Sequence, residues 1–137
     1  MKLFFISLIL FSTTLHSFAQ SENEIAADKI KSITVMNSDE KTGVDTYHKE
    51  TVSTFDQKGN LLEEIHFNDD GTIKDHSKYT YDANGHKLTQ TDLDASGKTV
   101  KKEEYTYDAK GNKLSKIVTD GSGKTKSKKK YVYTYYE

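Results

Sequence analysis

A ten-residue phrase that occurs twice constrains this chain more than any other feature. YTYDANGHKL, at residues 79–88, returns 26 residues later as YTYDAKGNKL, at residues 105–114. The same step relates STFDQKGNLL, at residues 53–62, to the first phrase, and YVYTYYE, at residues 131–137, to the second. A fixed period of this size is typical of a repeat array, in which each unit is one supersecondary structure that stacks on the next.

Two sets of glycines divide each period into two strands and two turns. One set is Gly59, Gly85 and Gly111, and the other is Gly71, Gly97 and Gly123. Asn84-Gly85 and Asp70-Gly71 are dipeptides that favour a type I′ hairpin turn, so two-residue loops are predicted. That register places the following residues opposite each other: Tyr81 and Leu88, Phe55 and Leu62, Tyr107 and Leu114, Asp82 and Lys87, and Asp108 and Lys113.

The spacing of the turns predicts an all-β fold, an antiparallel meander of about eight strands built from 26-residue hairpin repeats. Such short connections join only antiparallel neighbours. The predicted strands are 30–37, 44–55, 61–67, 73–81, 87–93, 99–107, 113–119 and 125–136. A closed eight-stranded barrel is the less favoured alternative, because the positions that would face inward are polar. We therefore expect an open twisted sheet or shell, with the repeated tyrosines on one face because alternate residues of a strand share a face.

The N-terminus has the pattern of an export signal. Lys2, an apolar stretch and Ser17-Phe18-Ala19 predict a signal peptide over residues 1–19, and hence a secreted or periplasmic protein without a membrane span. Residues 20–29 form a separate N-terminal segment, in which the capping-box spacing of Ser21 and Glu24 is compatible either with one short helical turn or with a frayed terminus. Residues 30–137 are the β-hairpin repeat domain.

Charge is distributed unequally along the chain. Residues 20–95 contain 8 Lys and 16 Asp or Glu, whereas residues 96–137 contain 11 Lys and 5 Asp or Glu. We expect an acidic edge near the first strand and a basic edge at the last. If both edges are open, weak head-to-tail self-association is favoured.

No pattern in the sequence indicates an enzyme, a metal or a cofactor. There is no Cys and no nucleophile elbow. The histidines have no metal-ligand spacing, and the acidic turns lack the full series of a calcium loop. The sequence predicts a non-catalytic protein that binds no cofactor and no metal.

The phrases YDANGHKL and YDAKGNKL resemble the tyrosine–aspartate (YD) repeats of the Rhs and teneurin family. The resemblance covers residues 53–114 and part of the C-terminal phrase, with Phe55 in place of the first tyrosine. It implies a β-hairpin array, an extracellular or envelope location and carbohydrate binding. Asn60, His86 and Asn112 stand where the family commonly has Arg. Three or four units are too few to enclose anything, so encapsulation is not implied.

Six side chains are the candidate ligand-binding residues: Tyr81, Tyr107, Tyr133, Lys126, Lys128 and Lys130. Exposed aromatic rows stack on sugars, and lysines interleaved with tyrosines bind polyanions. The expected ligand is a glycan or another polyanion. The structural alternative is that the tyrosines pack within the sheet and the lysines protect its edge from other chains. A second function remains open, that of an inhibitor or accessory protein that docks a protein partner by its sheet edge.

Overall fold

The computed structural model of the chain describes residues 22–38 and 46–136. The predicted signal peptide, residues 1–19, lies outside this range. So do Ser21 of the capping-box pattern, the start of the second predicted strand at residues 44–45, and Glu137.

One short helix precedes a single eight-stranded sheet. The helix α1 spans Glu22–Ala27. The strands are β1 (Ser32–Ser38), β2 (Tyr47–Phe55), β3 (Leu61–Phe67), β4 (Ile73–Tyr81), β5 (Lys87–Leu93), β6 (Thr99–Tyr107), β7 (Lys113–Asp120) and β8 (Thr125–Lys130). They lie in sequence order, each antiparallel to the next, with β1 and β8 at the two ends of the sheet. The predicted all-β meander is confirmed, and the sheet does not close on itself.

The predicted strand bounds match β3–β6 at both ends and differ by one to three residues at β1, β2 and β7, and the largest difference is at the last strand. β8 ends at Lys130 and not at residue 136, and residues 131–136 have no strand assignment. A single backbone hydrogen bond, from Tyr131 to Leu114, continues the pairing beyond β8. The short helical turn expected in the N-terminal segment is present as α1.

The predicted type I′ turns are wrong. A type I′ turn requires positive φ at both central residues, yet the only described non-glycine residue with positive φ is Lys29. In the 82–86 turn the Gly85 amide donates to the Asp82 carbonyl and the Asp82 amide donates to the His86 carbonyl. With Gly85 at φ +87°, this is a three-residue loop formed by a type I turn and a glycine bulge.

The longer loop changes the pairing next to each turn. Tyr81 lies opposite Lys87 and not Leu88, Phe55 opposite Leu61 and not Leu62, and Tyr107 opposite Lys113 and not Leu114. The second residue of each outgoing strand is an extra residue without a partner, which is a β-bulge. These residues are Leu62, Lys74, Leu88, Val100, Leu114 and Lys126. From the next pair outward, as at Thr80 and Thr89, the predicted register is confirmed.

The predicted cross-strand pairs of Asp82 with Lys87 and of Asp108 with Lys113 are also wrong. The Asp82 carboxylate accepts hydrogen bonds from the amides of Asn84 and His86, both at 2.9 Å. Asp108 accepts in the same way from Lys110 and Asn112. A short acidic side chain at the first position of a type I turn bonds to its own turn amides, and both aspartates therefore hold the loop.

The sheet has little conventional core. Among the described residues, Ile25 and Tyr105 are the buried hydrophobic side chains, at 4% and 8% exposure. Helix α1 lies against the first turn of the repeats, because a Cβ added to Gly59 would meet the Glu22 carbonyl oxygen at 2.1 Å. Over residues 22–38 and 46–136 no helix has the length and apolar character needed to cross a membrane.

Candidate functional site

The sheet register assigns the candidate residues to two different faces. Directly opposed residues share a face, and Tyr79 pairs with Gln90, which pairs with Glu103. Tyr105 is two residues beyond Glu103 and pairs with Lys116, which pairs with Lys129. We call this side of the sheet the tyrosine face. Lys128 and Lys130 alternate with Lys129 and therefore point to the opposite face.

The three candidate tyrosines make contacts within the protein. The Tyr107 hydroxyl donates to the Lys87 carbonyl at 2.8 Å, and the Tyr133 hydroxyl donates to the Lys113 carbonyl at 2.7 Å. The two bonds are related by the 26-residue step, so each connects one repeat to the preceding one. Burial raises the pKa of Tyr81 to about 12, with nearby Glu22 adding to the shift. The hydroxyls of Tyr107 and Tyr133 thus connect neighbouring repeats, and ligand binding by the three rings stays a prediction.

The candidate lysines lie on the last strand, where every residue of β8 is exposed. Lys126 forms an ion pair with Asp120 at 3.1 Å. Within residues 22–38 and 46–136, Lys128 and Lys130 have no carboxylate within 4.0 Å. The register thus places Tyr81 and Tyr107 on one face and Lys128 and Lys130 on the other, while Tyr133 follows β8 and is 40% exposed.

A polar network occupies the middle of the tyrosine face. The Lys101 ammonium lies 2.8 Å from Asp92 and 3.4 Å from Glu103, and the Lys116 ammonium lies 2.7 Å from Glu103. The Tyr105 hydroxyl donates a short hydrogen bond to the same Glu103 carboxylate. Glu103 is only 8% exposed, and these donors satisfy a carboxylate that would otherwise be costly to bury.

Hydrogen bonding and burial shift the pKa values of this network in opposite directions. Burial by itself would raise the pKa of Glu103, but hydrogen bonds from Lys116 and Tyr105 outweigh it and hold the pKa below the ordinary value. Burial raises the pKa of Tyr105, and its bond to Glu103 raises it further. The network is therefore ionised at neutral pH, with the phenol protonated.

Three lysines that the sequence did not single out surround the Tyr105 ring. The ammonium groups of Lys87, Lys113 and Lys116 lie 5.6, 4.5 and 5.6 Å from its centroid. Lys87 also lies 5.2 Å from the centroid of Tyr79. The signal was present in the sequence, because pairing Tyr105 with Lys116 and Tyr107 with Lys113 places lysines on the tyrosine face. It was missed because Lys87 and Lys113 were assigned to Asp82 and Asp108.

The histidines take separate roles. His86 bonds Asp82 at 2.9 Å and stacks on Tyr107 with ring centroids 4.9 Å apart. His76 bonds Glu63 at 2.7 Å, and His66 lies 3.1 Å from the Thr51 hydroxyl. Among the described residues no three His, Cys, Asp or Glu side chains come together as a metal site.

Comparison with known proteins agrees with the repeat pattern. No curated protein matches this chain. The solved structure described as "Crystal structure of GtfA/B complex bound to UDP and GlcNAc" aligns with 71% of this chain and 24% of that chain, at 10% identity and a TM-score of 0.29. This chain thus spans about a quarter of the length of that chain. The family model of the RHS repeat matches residues 81–125. Over this stretch, which contains the second YD phrase, the resemblance to the Rhs YD repeats is confirmed.

Proposed function

We propose that this chain is an exported, non-catalytic repeat module that binds an acidic glycan or another polyanion along strand β8. The observation that carries the proposal is the exposure of residues 121–130, which contain five lysines and one ion pair to a described carboxylate. The RHS repeat match supports a repeat module of extracellular or envelope type. The meander holds this strand at the end of the sheet, where a long ligand can approach it from the side.

A row of exposed lysines favours a linear anion over a compact one. Lys128 and Lys130 alternate on one face of β8, so their charges lie about 6.6 Å apart at the usual rise of a strand, and Lys126 precedes them at the bulge of the same strand. A polyanion that neutralises such a row releases its condensed counterions, and its affinity therefore falls steeply with salt. Protection of the sheet edge explains why lysines occur on an end strand, but it does not require five lysines within residues 121–130.

Retention on immobilised heparin tests this proposal. We expect the wild-type mature protein to be retained at low salt and released as salt rises. The variant K126E/K128E/K130E should elute at a much lower salt concentration, because it reverses the charge of the row. The matched control is K31E/K49E/K74E, which makes the same change in net charge at exposed lysines on the other half of the sheet. Equal losses in the two variants would contradict a role for β8 itself.

A second candidate function is supported by the open pairing edge of β8. Its described backbone partners all belong to β7, so one side is available to an added strand. An accessory or inhibitor protein would use this edge to dock a partner's strand. A backbone-mediated complex of this kind survives salt that abolishes heparin retention. The Tyr131 amide donates to β7, and alternate amides of a strand point to the same side, so the Lys128 amide lies on the open side of β8. Lys128→Pro removes that donor and should abolish strand docking, whereas Lys128→Gln, which loses only the charge, should not.

A further inference from the structure

The lysine cluster on the tyrosine face, formed by Lys87, Lys113 and Lys116 around Tyr105, has more positive than negative charge. Lys101 completes the surrounding network, and the two carboxylates present are Asp92 and Glu103. Each carboxylate already has its own lysine at 2.7–2.8 Å: Asp92 has Lys101, and Glu103 has Lys116. Four ammonium groups thus share two carboxylates, leaving an excess of two positive charges.

Lys87 and Lys113 are the lysines without a carboxylate. Within the two described ranges, neither comes within 4.0 Å of an Asp or Glu oxygen. Lys87 donates one hydrogen bond, to the Gln90 side-chain oxygen at 3.2 Å. In the same ranges, the contact found for the Lys113 ammonium is with the ring of Tyr105. An ammonium has three donors, so both side chains retain unused donors.

The excess positive charge is partly buried. Tyr105 and Glu103 below the lysines are buried, and Lys87 and Lys113 are themselves half-buried. Burial lowers the pKa of Lys87; Glu103 opposes this change, while Lys113 and Lys116 add to it. Partly buried charges are less screened than exposed ones. The three ammonium groups therefore repel one another, and an anion between them would relieve that repulsion.

We propose that the lysine cluster is a binding site for a compact oxyanion, such as sulfate or the carboxylate of an acidic sugar. The ammonium groups of Lys87, from β5, and Lys113, from β7, lie 5.6 and 4.5 Å from the centroid of the Tyr105 ring between them, and a small group with several acceptor oxygens can bond more than one of them. The site lies on the opposite face from Lys128 and Lys130. It is therefore independent of the polyanion binding proposed for β8.

Nuclear magnetic resonance of the full mature protein, with ¹³C-labelled tyrosine rings, tests the site directly. We expect the Tyr105 and Tyr79 ring signals to shift with saturation on addition of sodium sulfate, compared with sodium chloride at equal ionic strength. The variant K87Q/K113Q should bind about tenfold more weakly or not at all, since it loses charge-assisted hydrogen bonds. The variant K128Q/K130Q is the matched control and should bind as wild type.

A second ligand and a second variant complete the test. Saturable shifts with sodium glucuronate as well as with sulfate would assign the carboxylate of a sugar to the site, and shifts with sulfate alone would assign a free inorganic anion. K87R/K113R keeps both charges and should retain anion binding. Thermal melting of K87Q/K113Q shows whether its loss of binding comes from misfolding. Shifts that stay proportional to concentration, or an unchanged affinity in folded K87Q/K113Q, would overturn the proposal.

Discussion

At the scale of single residues, the aspartate of the YD phrase holds the turns. Asp56, Asp82 and Asp108 each accept two amides of their own loop, and their second oxygen bonds the side chain four residues on. Asp94 and Asp120 bond their turns likewise, with a serine hydroxyl as an additional donor. The side chains that bond this second oxygen are Asn60, His86 and Asn112. They occupy the positions where the Rhs YD repeats, which this chain resembles, commonly have Arg. In the two YD phrases the tyrosine, Tyr81 or Tyr107, lies on the tyrosine face, and the aspartate that follows it holds the loop.

These aspartates should make the stability of the protein fall in acid. A hydrogen bond from His86 is the largest of the causes that hold the pKa of Asp82 below its ordinary value, and bonds from Ser96 and Asn112 come first for Asp94 and Asp108. A carboxyl group with a lowered folded-state pKa contributes stability that is complete above its unfolded pKa, about 3.9, and is lost as pH falls through the folded value. We expect the melting temperature to decrease steadily below about pH 4.

Asparagine substitution separates this contribution from general acid effects. D82N/D94N/D108N should have a lower melting temperature than wild type at pH 7. Its melting temperature should also fall less than that of wild type when the pH is lowered. D28N/D69N/D75N is the control with the same change in charge, at aspartates whose carboxylates accept no turn amide in the structure described. Thermal melts from pH 7 to pH 2.5 compare the three proteins. Parallel pH profiles for wild type and the turn variant would contradict the role of the turn carboxylates.

At the scale of the hairpin, the sequence was sufficient for the strands but not for the loop. Tyrosine alternation and the glycine spacing predicted strands that match β3–β6 at both ends. Asn84-Gly85 is compatible with either a type I′ turn or a type I turn with a glycine bulge, and the dipeptide alone does not choose between them. The aspartate three residues before each glycine is the residue that decides, because it favours the first position of a type I turn. It was interpreted as a charge partner across the strands, and the lysine cluster was missed for the same reason.

The hairpin geometry predicts unequal costs for the same glycine substitution. Gly97 has φ +83° with no atom within 4 Å of an added Cβ, so Gly97→Ala should cost only the strain of the left-handed backbone, about 1–2 kcal/mol. Gly59 has a similar φ of +85°, but its Cβ would lie 2.1 Å from the Glu22 carbonyl oxygen. Gly59→Ala should therefore be clearly more destabilising, because helix α1 has to move. Urea unfolding of both variants measures the difference, and equal midpoints would show that α1 does not lie against this turn.

At the scale of the whole molecule, contacts between successive repeats replace a thick core. The tyrosine hydroxyls bond carbonyls of the preceding repeat, Lys58 donates to the Ala83 carbonyl at 2.9 Å, and His86 stacks on Tyr107. In an array of this kind each unit contacts its nearest neighbours, and the two outer strands, β1 and β8, have one described neighbour each. The sequence predicted the strand order, but not that Lys128 and Lys130 lie on the opposite face from the tyrosines, because that depends on the bulges.

Two open edges of different charge make head-to-tail self-association the expected behaviour of this chain. β8 is rich in lysine, whereas β1 itself is uncharged and the segment before it, residues 22–31, has three acidic residues and two lysines. Opposite charge favours contact between the β8 edge of one copy and the N-terminal end of another, and salt screens it over about 10 Å at 0.1 M. Unpaired strand edges then add backbone hydrogen bonds.

Sedimentation velocity at low and high salt measures this association. We expect wild type to show a concentration-dependent increase in sedimentation coefficient at low salt that largely disappears at high salt. K126E/K128E/K130E should remain monomeric at low salt, because both ends are then acidic. K87Q/K113Q keeps the β8 charges and should associate like wild type, so the edge contact is distinguished from the oxyanion site. A wild-type protein that stays monomeric at every concentration and at both salt levels would mean that the lysines of β8 keep this edge apart from other copies, and that charge at the two ends does not bring them together.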